Sequence, residues 1–105
     1  MKVRILESAR RDLRGGHNFY ERQEAGVGEY FLNSLIADID SLALYGGIHP
    51  RRSGFHWMLA SRFPWAIYYR MEKEVVVVRA VLDCRRDPAR VAERLNRERT
   101  NRSSE

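Results

Sequence analysis

Residues 65–82 read WAIYYRMEKEVVVVRAVL. Trp65, Ile67, Tyr69 and Met71 alternate with Ala66, Tyr68 and Arg70, a period of two that belongs to a strand with two distinct faces. Glu72, Lys73 and Glu74 break the pattern with charge, as a turn does. Val75 to Leu82 then runs with one polar interruption, and its β-branched residues make it the strongest strand signal in the chain. Upstream, Phe55, Trp57 and Leu59 alternate with His56, Met58 and Ala60, which predicts a preceding strand. Pro64 stands where the next strand begins, because a residue without an N–H is unsuited to a ladder interior. Strands joined this closely imply an antiparallel meander.

The residues before the meander supply its cover. Lys2 to Leu6 predicts a short strand, and Ser8 is placed to cap a helix carrying Ala9, Leu13 and Tyr20 at helical spacing. Gly15 and Gly16 interrupt that helix at about 1 kcal/mol each relative to alanine, so a kink, a break or a close helix–helix approach is expected there. After a turn over Ala25 to Gly28, Leu32, Leu35, Ile39 and Leu42, flanked by Phe31 and Ile36, form an apolar stripe. Gly46 and Gly47 close this second helix, and residues 48–54 read as a loop. After the meander, Asp87 and Pro88 open a last helix to about Asn96, with Val91, Ala92 and Leu95 on one side. The expected fold class is α+β in two layers. An N-terminal strand, an antiparallel helix hairpin and a three-stranded antiparallel meander complete one sheet, followed by a short C-terminal helix. Residues 1–98 form the single domain, with 99–105 as a frayed tail.

Composition bounds the function. The chain has 105 residues, enough for one core, with 44% hydrophobic and 31% charged residues, which suits a folded domain. The formal charge of +5 points to anionic partners, nucleic acid or an acidic protein segment. Lys2 and Lys73 are the only lysines, so the positive charge is carried by arginine, whose planar fork matches phosphate and carboxylate. Cys84 is the only cysteine, which agrees with a reducing compartment. No apolar run approaches the ~20 residues of a membrane-spanning helix. A cytoplasmic location with no membrane partner is therefore expected. No metal-spacing cluster or phosphate-binding glycine loop occurs, so neither a cofactor nor a metal is expected.

If Val76, Val78, Ala80 and Leu82 face the helices, Arg79 points from the opposite face beside Val77 and Val81. The outward set of the preceding strand is Tyr68 and Arg70, with Trp65, Ile67 and Tyr69 inward. On the strand before that, the outward set is His56, Met58 and Arg62. Arg85 and Arg86 leave the border of that face. Arginines interleaved with aromatic rings are what phosphate contact and base stacking require, so Arg62, Arg70, Arg79, Arg85 and Arg86 are the candidate target-binding residues. The competing reading makes them solvated edge charges. His17, His49 and His56 are scattered among separate segments, which argues against a catalytic or metal-binding histidine. Cys84 beside Arg85 has no histidine base nearby in sequence.

The segments Arg62–Arg70, FPWAIYYR within them, and Val75–Val91, VVVVRAVLDCRRDPARV, resemble the ParE/RelE superfamily of toxins from type II toxin–antitoxin systems. The resemblance spans almost the whole chain and lies closer to the ParE side. The histidine and glycine that usually precede the arginines are Asp83 and Cys84 here. RelE-like members cleave mRNA on the ribosome, whereas ParE-like members block DNA gyrase. A metal-free ribonuclease needs a base, an acid and a cation for the developing phosphate charge. By resemblance Arg85 matches the phosphate-stabilising arginine, but the terminal-helix tyrosine falls at Val91 and the strand arginine at Ala66. Tyr68, His56, Arg70 and Arg79 remain as substitutes, so the catalytic candidates of a ribonuclease are Arg85, Arg79, Tyr68 and His56. The resemblance implies a ParE-like inhibitor of gyrase, with a ribosome-dependent mRNA endoribonuclease and a non-toxic complex-forming member as alternatives. It also implies a cognate antitoxin in a hetero-oligomer, wrapping aromatic surface offered by Trp57, Trp65 and Tyr68.

Overall fold

The computed structural model describes residues 1–100. Its elements are β1 (Lys2–Ile5), α1 (Glu7–Gln23), α2 (Val27–Asp40), α3 (Leu42–Tyr45), β2 (Arg51–Arg52), β3 (Phe55–Leu59), β4 (Trp65–Glu72), β5 (Val75–Asp83) and α4 (Pro88–Thr100). They form one five-stranded sheet in the order β1-β5-β4-β3-β2. β1 runs parallel to β5, with Lys2 opposite Val75 and Ile5 opposite Val78, and the remaining pairs are antiparallel. The predicted strand, helix hairpin, meander and terminal helix are all present. None of the helices among the described residues is long and apolar enough to cross a membrane.

The helix hairpin covers one sheet face. Ala9, Leu13, Gly16 and Tyr20 of α1 and Phe31, Leu35 and Ile39 of α2 recur every three or four residues and are buried. They pack on Trp65, Ile67, Tyr69, Val76, Val78 and Val81. The glycines leave α1 continuous and permit close packing instead. A Cβ on Gly16 would sit 2.5 Å from the Phe31 ring and 3.0 Å from Trp65, whereas one on Gly15 would meet nothing within 4 Å. The Glu21 carboxylate accepts the Gly26 and Gly28 N–H groups at 3.0 and 2.9 Å, satisfying donors at the start of α2.

The opposite face carries a second, smaller core, in which Leu95 of α4 packs on Phe55, Ala66, Tyr68, Ala80 and Leu82, flanked by Trp57 and Val91. Asp87 caps α4 as expected, its Oδ1 accepting the Ala89 N–H at 2.9 Å. An ion cluster joins α4 to α1. Arg94 gives a two-pronged bond to Asp12 at 2.7 and 2.8 Å and a third bond to Glu98 at 2.9 Å. Asp12 also accepts the Val81 N–H at 3.0 Å, and Ser8 Oγ donates to the Arg79 carbonyl at 3.0 Å. β1 ends at Ile5, so these side chains satisfy the edge of β5 where its strand partner has stopped.

Several expectations change. β5 does not alternate throughout: Tyr68 pairs with Ala80 and Tyr69 with Val78, so Arg79 is an extra residue forming a β-bulge. Beyond it the phase reverses, and Ala80 and Leu82 face α4 while Val81 faces the helix hairpin. β3 has the opposite phase to that expected, with Phe55 and Trp57 toward α4 and Met58 toward the hairpin. Ser8 lies inside α1 rather than at its cap, because Leu6 occupies that position and Ser8 is drawn to Arg79 and Glu98. Arg51 and Arg52, within the expected loop, form a short edge strand on β3. α4 continues past Asn96 to Thr100, and Arg99 Nη1 donates to the Ser53 carbonyl at 3.4 Å. Of the expected frayed tail, residues 101–105 lie outside the described residues.

The two adjacent glycines therefore predict opposite outcomes. Gly15→Ala should raise stability by up to about 1 kcal/mol through helix propensity. Gly16→Ala should lower it by about 1–3 kcal/mol by overpacking against Phe31. Urea unfolding of both variants checks this, and a stabilised Gly16→Ala would refute the close approach.

Candidate functional site

The turn from β5 into α4 carries Asp83, Cys84, Arg85 and Arg86, and hollows lie on both sides of it. The first, about 250 Å³, opens between the sheet and α4; Tyr68, Leu82 and Leu95 form its apolar floor, and Arg52, Trp57 and Arg86 border it. The Arg52 guanidinium lies 4.2 Å from the Trp57 ring centroid, so the wall is both aromatic and cationic. The second, about 440 Å³, runs between α1 and the sheet, bordered by Arg11, Arg22 and Arg86 beside Gly15 and Gly16. Arg86 lines both hollows and is exposed.

Arg85 is tied rather than loose. Its Nε and Nη2 donate to Asp83 at 3.0 and 2.8 Å, and Nη2 also donates to Tyr20 Oη at 3.0 Å. The hydrogen bonds to Asp83 push the Arg85 guanidinium up from its ordinary pKa, so it stays charged. Burial pushes the Asp83 carboxyl up, but the hydrogen bonds from Arg85 more than offset this and hold it below its ordinary value. The same Tyr20 hydroxyl accepts the Trp65 Nε1–H at 3.0 Å, which links the surface turn to the main core. Arg62 borders the other end of this aromatic cluster, where Nη1 donates to Tyr30 Oη at 3.4 Å and Phe63 lies between Tyr30 and Tyr20.

The expected residues do not converge on one surface. Arg85 and Arg86 share the turn, and Trp57 and Tyr68 share the first hollow. Arg79 points away from the hairpin as expected but is only 5% exposed, donating to the Glu98 carbonyl at 3.4 Å and to Glu72 at 3.3 Å beneath α4. It is an interior residue, not part of an open basic face. Arg70 lies toward the far end of β4, its guanidinium 4.6 Å from the Phe55 ring. Trp65, expected to offer aromatic surface, is 4% exposed and belongs to the core under the hairpin. His56 stacks on Tyr69, and Tyr69 belongs to the core on the hairpin side, so His56 does not share a face with Tyr68. Arg52 was missed, since an Arg-Arg pair before Ser53 and Gly54 has no periodicity to place it against Trp57.

Of the titratable groups of the first hollow, Tyr68 and Cys84 are held protonated, while Asp83 is ionised and paired with Arg85. Burial, with the neighbouring Cys84, pushes the Tyr68 phenol above its ordinary pKa despite Arg52 nearby. Burial and the Asp83 charge likewise push the Cys84 thiol up. A phenol and a thiol in these states supply no base near neutral pH.

The backbone path has a known counterpart. A solved chain described as "Chromosomal ParDE TA system from P. aeruginosa" matches with a TM-score of 0.70 at 15% sequence identity, over 79% of this chain and 95% of that one. The fold is ParE-like. No protein-family model matches the chain, and no curated protein matches it. In this ParE-like fold the basic turn and both hollows lie where the meander hands over to the terminal helix, at the C-terminal end of β5.

Cys84 tests the electrostatics directly. The rate of its alkylation by iodoacetamide should rise with pH through a midpoint above 9.0, slower at neutral pH than an unstructured cysteine peptide. A midpoint below that value would mean an activated thiolate and overturn this account of the hollow.

Proposed function

We propose that the chain is the toxin half of a type II toxin–antitoxin pair, inhibits DNA gyrase in the ParE manner and is neutralised by a cognate antitoxin. The observation that carries the reading is the Asp83–Arg86 turn, which presents Arg86 between two arginine-bordered hollows and fixes Arg85 at its base. A gyrase inhibitor needs a charged and shaped surface, and the exposed arginines of this turn fit that need. A ribonuclease needs an acid and a base that reach one phosphate. Here His56 and Tyr68 lie on opposite sides of the sheet and Arg79 is buried, which favours binding over acid–base chemistry. The likeness to a chain of a ParDE system supports the pairing with an antitoxin. The net charge of +5 suits an acidic antitoxin segment, and Trp57 with Tyr68 in the first hollow offers an aromatic seat for it. In this reading Arg52, Arg85 and Arg86 meet the target.

The reading predicts that Arg85→Ala combined with Arg86→Ala abolishes growth inhibition while circular dichroism and thermal unfolding stay near the parent. Full toxicity in that folded variant would remove the turn from the target surface. Pulse-labelling in the minutes after induction, without antitoxin, identifies the target. An early fall in DNA synthesis is expected. An early fall in protein synthesis would mean ribosomal mRNA cleavage, and no growth effect together with intact antitoxin binding would mean a non-toxic complex-forming protein.

A further inference from the structure

Outside the basic turn, His49, Tyr69 and His56 form a cluster at the base of β2. Tyr69 is fully buried, and its hydroxyl accepts the Gly47 N–H at 2.9 Å. The same hydroxyl lies 2.5 Å from His49 Nδ1. His56 stacks on the Tyr69 ring with centroids 5.1 Å apart, and its Nδ1 lies 2.7 Å from the His49 carbonyl.

These contacts set the protons. A carbonyl only accepts, so His56 carries its proton on Nδ1 and donates. The Tyr69 oxygen already accepts from Gly47, and its own proton needs an acceptor in a buried place. Unprotonated His49 Nδ1 is the one the geometry supplies, so His49 is neutral with its proton on Nε2. A second proton on His49 would place two donors face to face and leave the Tyr69 hydroxyl proton without an acceptor.

We propose that His49, Tyr69 and His56 form a proton-operated latch that holds residues 46–52 against the sheet when His49 is neutral and releases them when it is protonated. The groups facing His49 are Tyr69 from β4 and His56 from β3, with Arg51 of β2 paired opposite His56. No carboxylate is among them, so no ion pair among the described residues compensates a charge on His49. Burial, and then His56, hold the His49 pKa below its ordinary 6.5. A histidine with a depressed folded-state pKa contributes its full stability above the ordinary value and loses it as pH falls below that value.

The latch reaches the first hollow. The Pro50 carbonyl accepts the Trp57 N–H at 3.0 Å, and Arg52 pairs opposite Phe55 while its guanidinium covers Trp57. Release of residues 46–52 therefore removes the cationic wall, so acidification weakens whatever the hollow binds. That consequence rests on the hollow being a working surface; the latch itself does not.

Amide exchange of the folded chain tests it. From about pH 7.5 to about pH 5, protection factors at Gly47 and Trp57 should fall about tenfold or more, while those of Phe31 and Val78 in the main core hold. His49→Asn keeps an acceptor near the Nδ1 position without titrating there and should abolish the pH dependence. Tyr69→Phe should give low protection at both amides at every pH. Unchanged protection in the parent, an equal fall in His49→Asn, or loss spreading equally to Phe31 and Val78 would each overturn the latch. None of these results depends on toxicity, so failure of the target assignment would be seen separately, in the labelling of synthesis.

Discussion

β5 lies between β1 and β4 with apolar side chains on both faces, so both faces have to be covered. The helix hairpin covers one, over Val76, Val78 and Val81, and α4 covers the other, over Ala80 and Leu82. The β-bulge at Arg79 makes this possible, because one extra residue changes which side chains of the upper strand meet which layer. It also sends a guanidinium into the interior, where Glu72 and the end of α4 receive it. Each layer contacts β5, and the positions of both depend on that one insertion.

The placement of α4 has a second cause, and it is ionic. Arg94, Asp12 and Glu98 are each at least four-fifths buried as side chains, a setting where an unpaired charge costs several kcal/mol. Arg94 satisfies both carboxylates, and Asp12 satisfies the β5 backbone at Val81. Hydrophobic contact through Leu95 alone would allow α4 to slide or rotate. Directional bonds from a single guanidinium fix its register against α1, and that register forms the far wall of the hollow lined by Trp57 and Tyr68.

In the proposed reading, stability and recognition are divided by burial among the arginines. Arg79 is buried and the Arg94 side chain is largely covered, and both are structural. Arg85 is exposed, yet its side chain braces the turn through Asp83 and Tyr20. Arg52 and Arg86 hold their charge at the rims of hollows, where a partner can reach it. Exposed pairs contribute little to folding, so substitution at the rims should leave the fold close to unchanged.

The sequence by itself determined the order of elements, the helix hairpin and the meander, because periods of two and of three to four are local properties of the backbone. It determined the Asp87 cap and the inward set Trp65, Ile67 and Tyr69 for the same reason. It also located the basic turn at Arg85 and Arg86. Only the tertiary structure decided the phase of β3, which its register against β4 sets, and that of upper β5, since a bulge is an event between two strands and leaves no mark in the periodicity of either. It alone buried Arg79, set Arg52 on Trp57, and joined Asp12 to Arg94 across 82 positions of chain. Long-range contacts of polar side chains have no repeat to reveal them; they exist because a buried charge must find a partner wherever the fold brings one.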